Sequence, residues 1–191
     1  LDVVIPCYNE EENLPHTIPV LNDFLKNLLS REDLGLERFR IILVDDGSAD
    51  RTWSQIEAFT QTVGTSGVKL SRNYGHQNAM LAGLSIADAD VVLTIDSDLQ
   101  DDINAISEML KAYQAGADLA LGVRRSRGED RFFKKTTARG YYALMRLMGA
   151  QIVPDHADFR LMSQKALKAL LSHEETNLFL RGIIPSLGFK A

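Results

Sequence analysis

Val91-Val92-Leu93-Thr94-Ile95-Asp96-Ser97-Asp98-Leu99-Gln100-Asp101 is the stretch on which the fold turns. Val91 to Ile95 is apolar and β-branched and too short for a helix, so it reads as a strand buried on both faces. It ends abruptly on a cluster of acidic and amide side chains. Such strands belong to sheets covered by helices, and ligands in such sheets sit at the carboxyl ends of the strands. In extended chain Asp96 and Asp98 point the same way. Two carboxylates sharing one space repel unless a cation lies between them. Hard oxygen donors favour Mg2+ or Mn2+, and Gln100 continues the spacing with an amide oxygen, so Asp96, Asp98 and Gln100 are the expected metal ligands.

The same pattern extends outward in both directions. Short apolar runs at Val3-Val4-Ile5 (closed by Pro6), 40–44, 68–70 and 119–121 alternate with helical stretches at 11–29, 52–63, 76–87 and 103–115. Pro15 suits a first helical turn, Pro19 does not. Ala79, Ala82, Gly83 and Ala87 give the third helix a small-residue face suited to close packing. The alternation predicts an α/β, Rossmann-like, mostly parallel sheet with helices on both faces. After residue 123 it gives way to a basic loop, a helix near 137–149, a strand near 159–162 and a helix near 164–172. No repeat or linker divides the chain, so residues 1–191 are expected to form a single domain. Leu1 already enters a strand and no initiator Met is present, so the chain is expected to be part of a longer protein.

Two further polar turns end strands of this sheet: Pro6-Cys7-Tyr8-Asn9-Glu10 and Asp45-Asp46-Gly47-Ser48. Each alone is explained by helix capping. Together with the turn at Asp96 they converge on one crevice, which argues for a ligand site.

Composition narrows the function classes. The 191 residues carry a net charge of −5, which argues against general nucleic-acid binding. One segment runs against that balance: Arg124, Arg125, Arg127, Arg131, Lys134, Lys135 and Arg139 face only Glu129 and Asp130, which implies a local anionic partner such as a lipid phosphate or an anionic membrane surface. Phe132 and Phe133 lie among those charges. A single cysteine, Cys7, builds neither a disulfide nor a thiolate metal site. No apolar run is long enough to cross a bilayer. No glycine fingerprint of a dinucleotide fold, no phosphate-binding P-loop and no paired metal-binding histidines occur. His16, His76, His156 and His173, taken singly, are expected to be surface or satisfied polar residues.

On Val4-Ile5-Pro6-Cys7-Tyr8-Asn9-Glu10-Glu11, Val44-Asp45-Asp46-Gly47-Ser48, Ser71-Arg72-Asn73-Tyr74-Gly75, Asp96 to Asp101 and Asp158-Phe159-Arg160-Leu161-Met162, the chain resembles glycosyltransferase family 2, with the GT-A fold. Within it, the Asp-Leu-Gln continuation and the Asp-Phe-Arg-Leu-Met segment resemble enzymes that glycosylate polyprenyl phosphates, the dolichol-phosphate mannose synthase and bactoprenol glucosyltransferase group. The resemblance implies a UDP- or GDP-linked sugar donor bound by Pro6, Tyr8, Asn9, Glu10, Asp45, Asp46 and Ser97. Tyr8 would stack on the base. Mg2+ or Mn2+ on Asp96, Asp98 and Gln100 would hold the diphosphate. Asp158 matches the position of the catalytic base, Arg124 would reach a phosphate, and Arg160, Arg139 and Arg181 would serve the acceptor. Inversion at the anomeric carbon and work at the cytoplasmic side of a membrane are implied likewise. The chain departs from the pattern after Arg181-Gly182, where it runs on to Leu187-Gly188 without the usual Trp, and the family's usual membrane-associated C-terminal part is not among these 191 residues.

Two other functions compete. A family 2 transferase acting on a saccharide hydroxyl should show a Glu-Asp pair and a Gln-x-x-Arg-Trp segment, and neither occurs. A non-catalytic nucleotide-sugar binding module would not need Asp96, Asp98 and Asp158 together.

Overall fold

The computed structural model describes residues 1–61, 64–123, 156–173 and 180–190. Six strands form one sheet: β1 (Asp2–Cys7), β2 (Arg40–Asp45), β3 (Thr65–Lys69), β4 (Val91–Thr94), β5 (Leu119–Val123) and β6 (His156–Ser163). Their order is β3-β2-β1-β4-β6-β5. β1, β2, β3 and β4 pair in parallel, and β6 runs antiparallel to both β4 and β5. The helices are α1 (Leu14–Leu29), α2 (Thr52–Thr60), α3 (His76–Ser85), α4 (Ala105–Gln114), α5 (Gln164–Leu171) and α6 (Leu180–Ser186). Among the described residues no helix is long and apolar enough to cross a membrane.

Because side chains alternate along a strand, the apolar runs feed two cores. Val3, Ile5, Ile41, Leu43, Leu93, Phe159 and Leu161 pack on one face with Leu14, Leu21 and Leu25 of α1, Ile56 of α2 and Ile106 and Leu110 of α4. Val4, Ile42, Val44, Val92 and Met162 pack on the other with Ala79, Met80 and Leu84 of α3, Leu167 and Leu170 of α5 and Leu180 and Ile184 of α6. The small-residue face of α3 is used as expected: a Cβ on Gly83 would overlap Val4 and come within 2.9 Å of Val44 Cγ2, so only glycine lets α3 lie this close to the sheet.

Several expected boundaries shift. α1 starts at Leu14, because residues 11–13 form the turn that satisfies the loop before it, and it runs through Pro19. β1 runs on through Pro6, which pairs with Val44; its missing N–H costs no ladder bond on the other side, where β4 pairs only as far as Val4. β3 starts at Thr65, three residues earlier than the apolar pattern suggested. β6 is longer than expected, and α6 was not expected at all. The helix expected near 137–149 and the basic segment, including Arg124 and Arg139, lie outside the described residues.

Candidate active site

Topology explains why residues far apart in sequence meet. β6 enters the sheet antiparallel to β4, so its beginning lies at the end of β4. Thr94 pairs with Arg160, and two residues further along that register Asp158 comes level with Asp96. Thr94, Asp158 and Arg160 share the face with Val92 and Met162, which is the face under α3. The first residue of α3 is His76, so its imidazole hangs over that corner of the sheet.

The contacts there are close. Arg160 Nη2 donates to Asp158 Oδ1, and Thr94 Oγ1 donates to the Asp158 carbonyl. His76 Nε2 lies 3.2 Å from Asp158 Oδ2 and 3.6 Å from Asp96 Oδ1. Asp158 is 4% exposed and Arg160 1% exposed. Asp96 Oδ1 is buried and makes no hydrogen bond among the described residues. Burial pushes the Asp96 carboxyl above the usual range; His76 draws it back, while Asp158, Asp98 and Asp101 push it further up. An orphaned oxygen in a carboxylate-rich corner fits a divalent cation. Among the described residues, His76, Asp96 and Asp158 form the group whose ligand atoms all fall within 4.8 Å of one another.

The turn after β4 is built differently from the extended spacing expected of it. The strand stops at Thr94, Ser97 and Asp98 lie in a turn, and Leu99 takes a left-handed φ of 48°. Ser97 is buried, Asp98 and Gln100 are exposed, and Asp98 Oδ1 accepts the Gln100 N–H at 3.1 Å. The chain curls, so alternation no longer aligns Asp96 with Asp98.

The ends of β1 and β2 are laced together. Asn9, at φ 55°, donates its N–H to Ser48 Oγ (2.9 Å) and accepts the Ala49 N–H on Oδ1 (3.0 Å). Glu10 N–H donates to Thr52 Oγ1 at 2.7 Å, and Glu10 Oε2 accepts from Asn13 Nδ2 at 2.6 Å. Pro6 is buried in β1, whereas Tyr8 is 47% exposed above it, free to meet a flat ligand. Asp45 and Asp46 are both buried but differ in what they hold. Asp45 Oδ1 accepts the Ser48 N–H, and its Oδ2 makes no hydrogen bond among the described residues. Asp46 accepts the Tyr74 N–H on Oδ1 (2.7 Å) and the Gly75 N–H on Oδ2 (2.9 Å). Arg72 stacks over Tyr74, 4.4 Å from the ring centroid.

Asp45, Asp46, Asp96, Asp158 and Arg160 thus lie at the carboxyl edge of the parallel strands. Arg160 was expected to serve an acceptor, but it is buried behind Asp158 rather than presented to solvent. Arg181 is the second residue of α6, and its side chain lies outside the described residues, as do Arg124 and Arg139. His76 was missed, because one histidine without a partner in sequence carries no metal signature; its position directly after Ser71-Arg72-Asn73-Tyr74-Gly75 was the available clue.

Comparison with known proteins agrees with this geometry. The profile of "Glycosyl transferase family 2" matches residues 2–171. An uncharacterised glycosyltransferase of Bacillus subtilis (strain 168), YkoT, is 46% identical over the whole chain, which covers 57% of it. A bactoprenol glucosyl transferase of Shigella phage SfV is 35% identical over 98% of the chain, which covers 60% of that protein. The chain therefore spans somewhat over half the length of these relatives. Among solved structures, the mannosyltransferase PcManGT from Pyrobaculum calidifontis, in complex with GDP-Man and Mn2+, superposes with a TM-score of 0.60 at 19% identity, over 100% of this chain and 53% of that one. With the family profile matched over residues 2–171 and the fold shared with such structures, the chain belongs to glycosyltransferase family 2 and has the GT-A fold.

Proposed function

We propose that this chain moves a sugar from a UDP- or GDP-linked donor onto the phosphate of a polyprenyl phosphate, with inversion at the anomeric carbon. The observation that carries the acceptor class is the state of Asp158. Both of its oxygens are engaged, Oδ1 by Arg160 and Oδ2 by His76. A buried guanidinium bonded to one oxygen makes a carboxylate a weaker proton acceptor. A hydroxyl acceptor would need one. A phosphate monoester, with a second pKa of about 6, is already mostly dianionic at pH 7. Its oxygen attacks the anomeric carbon directly, the bond from that carbon to the diphosphate oxygen breaks, and the nucleoside diphosphate leaves with the electron pair. No proton has to be removed.

The chain's own residues divide the work. Tyr8 offers a stacking face for the base, and Asp45, whose buried Oδ2 makes no hydrogen bond among the described residues, is proposed to accept a base N–H. Pro6, Asn9 and Glu10 shape the loop that carries Tyr8, and the buried Ser97 shapes the turn around Asp96. Asp96, with Asp98 and Gln100 on the same turn, would hold Mg2+ or Mn2+. Such a cation, when bound, supplies Lewis-acid stabilisation to the charge building on the leaving diphosphate. Asp158 orients the acceptor side, and Arg160 keeps it in place. Arg124, Arg139 and Arg181 are proposed to meet the acceptor phosphate, since guanidinium pairs bidentately with phosphate oxygens. The basic segment would bring the enzyme to the cytoplasmic face of a membrane, where its lipid acceptor lies. The relatives named bactoprenol glucosyl transferases support this acceptor.

The test is a donor panel of UDP- and GDP-sugars with the full-length protein, Mn2+ or Mg2+, and undecaprenyl phosphate or undecaprenol. Transfer to the phosphate alone is expected. Equal transfer to the alcohol, or transfer to a saccharide instead, would replace this reading with a hydroxyl acceptor and a true general base.

A further inference from the structure

Asp46 is 2% exposed, and both of its oxygens are committed to the backbone N–H groups of Tyr74 and Gly75. A carboxylate bonded in this way clamps the segment that carries those amides. The clamp sits where the chain turns into α3. Gly75 has φ 91° and ψ 152°, and its carbonyl accepts the N–H groups of Asn78 and Ala79 that open the helix. Beside Asp46, Gly47 has φ 69°, and a Cβ there would overlap the backbone of Arg72. The turn after β2 and the turn before α3 are thus packed as one unit. The next residue, His76, reaches Asp158 Oδ2 and Asp96 Oδ1 although its side chain is 44% exposed. Where a half-exposed ring can reach depends on where its backbone is held, and Asp46 holds the two residues just before it.

We infer that Asp46 and His76 are positioning residues for Asp158. Asp46 sets the turn at 74–76, the turn holds His76 Nε2 against Asp158 Oδ2, and Arg160 holds Oδ1. This rests on the proposed reading of Asp158 as the carboxylate facing the acceptor. It also separates the two acids of the Asp45-Asp46 pair. Asp45, with an oxygen that makes no hydrogen bond among the described residues, faces the nucleotide. Asp46 acts at the other end of the reaction, through the chain it clamps.

The experiment uses the full-length protein and the variants Asp46→Asn, His76→Leu, His76→Gln and the double variant Asp46→Asn/His76→Leu. Glutamine places an amide N–H near the position of the imidazole Nε2 and can donate to Asp158. Calorimetry reads the Kd of Mn2+, and of UDP and GDP in its presence; initial rates read kcat and donor KM. Asp46→Asn and His76→Leu should each lower kcat roughly ten- to hundredfold, the scale of a carboxylate displaced by a fraction of an ångström. Their nucleotide and Mn2+ affinities should stay within about twofold of wild type, the spread expected of uncoupled sites. His76→Gln should recover most of the loss, and the double variant should be no worse than the poorer single. A purely structural role would instead give additive losses with no recovery by glutamine.

A tenfold weaker nucleotide Kd in Asp46→Asn would return that residue to the nucleotide, and lost Mn2+ affinity in His76→Leu would make the histidine a metal ligand; either overturns the inference. So would additive losses, or glutamine no better than leucine. If Asp46→Asn does not fold, the exposed His76 pair decides alone. If wild type glycosylates an acceptor other than a polyprenyl phosphate, the proposed function fails, and the same rate comparisons on that acceptor still judge the inference.

Discussion

Removing Arg160 is the perturbation from which the structure expects most. Arg160 is 1% exposed, lies on β6 between Thr94 of β4 and Leu121 of β5, and binds Asp158, itself 4% exposed. Arg160→Ala leaves a buried carboxylate without its guanidinium and opens space in a packed layer. Breaking a buried ion pair from one side costs about 3–5 kcal/mol, and the cavity adds in the same direction. That is a large part of a domain stability of roughly 5–15 kcal/mol. At about 2–4 °C per kcal/mol for a domain of this size, Tm should fall by roughly 6–20 °C. Asp158→Asn keeps the side chain's shape and one oxygen for Arg160, so it should cost less, about 1–3 kcal/mol. The double variant Asp158→Leu/Arg160→Met replaces both charges by apolar groups and should recover part of the stability lost in Arg160→Ala, with no transfer activity. Turnover of Arg160→Ala, measured below its Tm, should fall at least as far as that of Asp158→Asn. Thermal unfolding followed by circular dichroism, with urea titrations alongside, reads all three. Arg160→Ala melting within about 2 °C of wild type would refute the reasoning. The guanidinium would then not be a buried partner, and any loss of turnover would have to come from direct contact with the acceptor.

Other outcomes follow from single contacts. Asp96→Asn should weaken Mn2+ affinity by more than the roughly tenfold that outer-shell changes produce, read by calorimetry with donor present; unchanged affinity would remove Asp96 from the metal site. At the opposite end of the sheet, burial works to raise the Asp2 carboxyl, but hydrogen bonds from Arg40, Asp88 and Ala89 overcome it and hold the pKa below its usual value. A depressed folded pKa stabilises the fold above the unfolded value of about 3.9 and loses that contribution as pH falls through the lower folded value. Asp2→Asn should therefore lower the urea midpoint at pH 7 and flatten its dependence below pH 4, and an unaltered acid limb would contradict this. Gly47→Ala should cost at least about 2 kcal/mol, from φ 69° and the overlap with Arg72, and an unchanged urea midpoint would deny the close approach of the two turns.

Much of the framework was legible in the chain itself. Short apolar strands separated by helical stretches specify a parallel sheet covered on both faces, because only that arrangement buries strands with no polar side. The acidic and amide turns that end β1, β2 and β4 pointed to the carboxyl edge of the strands as the candidate site, since ligands in such sheets collect there. The small residues of α3 announced a close approach, which Gly83 provides against Val4 and Val44.

What tertiary structure alone decided is which of those residues meet, and in which role. The partner of Asp96 is not a matter of local spacing: the left-handed Leu99 curls the turn, and the antiparallel entry of β6 brings Asp158 level with Asp96 from sixty-two positions away (158 less 96). His76 has no sequence pattern of its own and becomes part of the site only because the Asp46 clamp sets the start of α3 over that corner. Arg160 looked like a group for the acceptor, yet strand alternation turns it into the layer beneath α3 as the buried partner of Asp158. A sequence records the period of a strand and the chemistry of its ends; it does not record which strand runs antiparallel, and that one choice of direction determines which carboxylate, imidazole and guanidinium share a space.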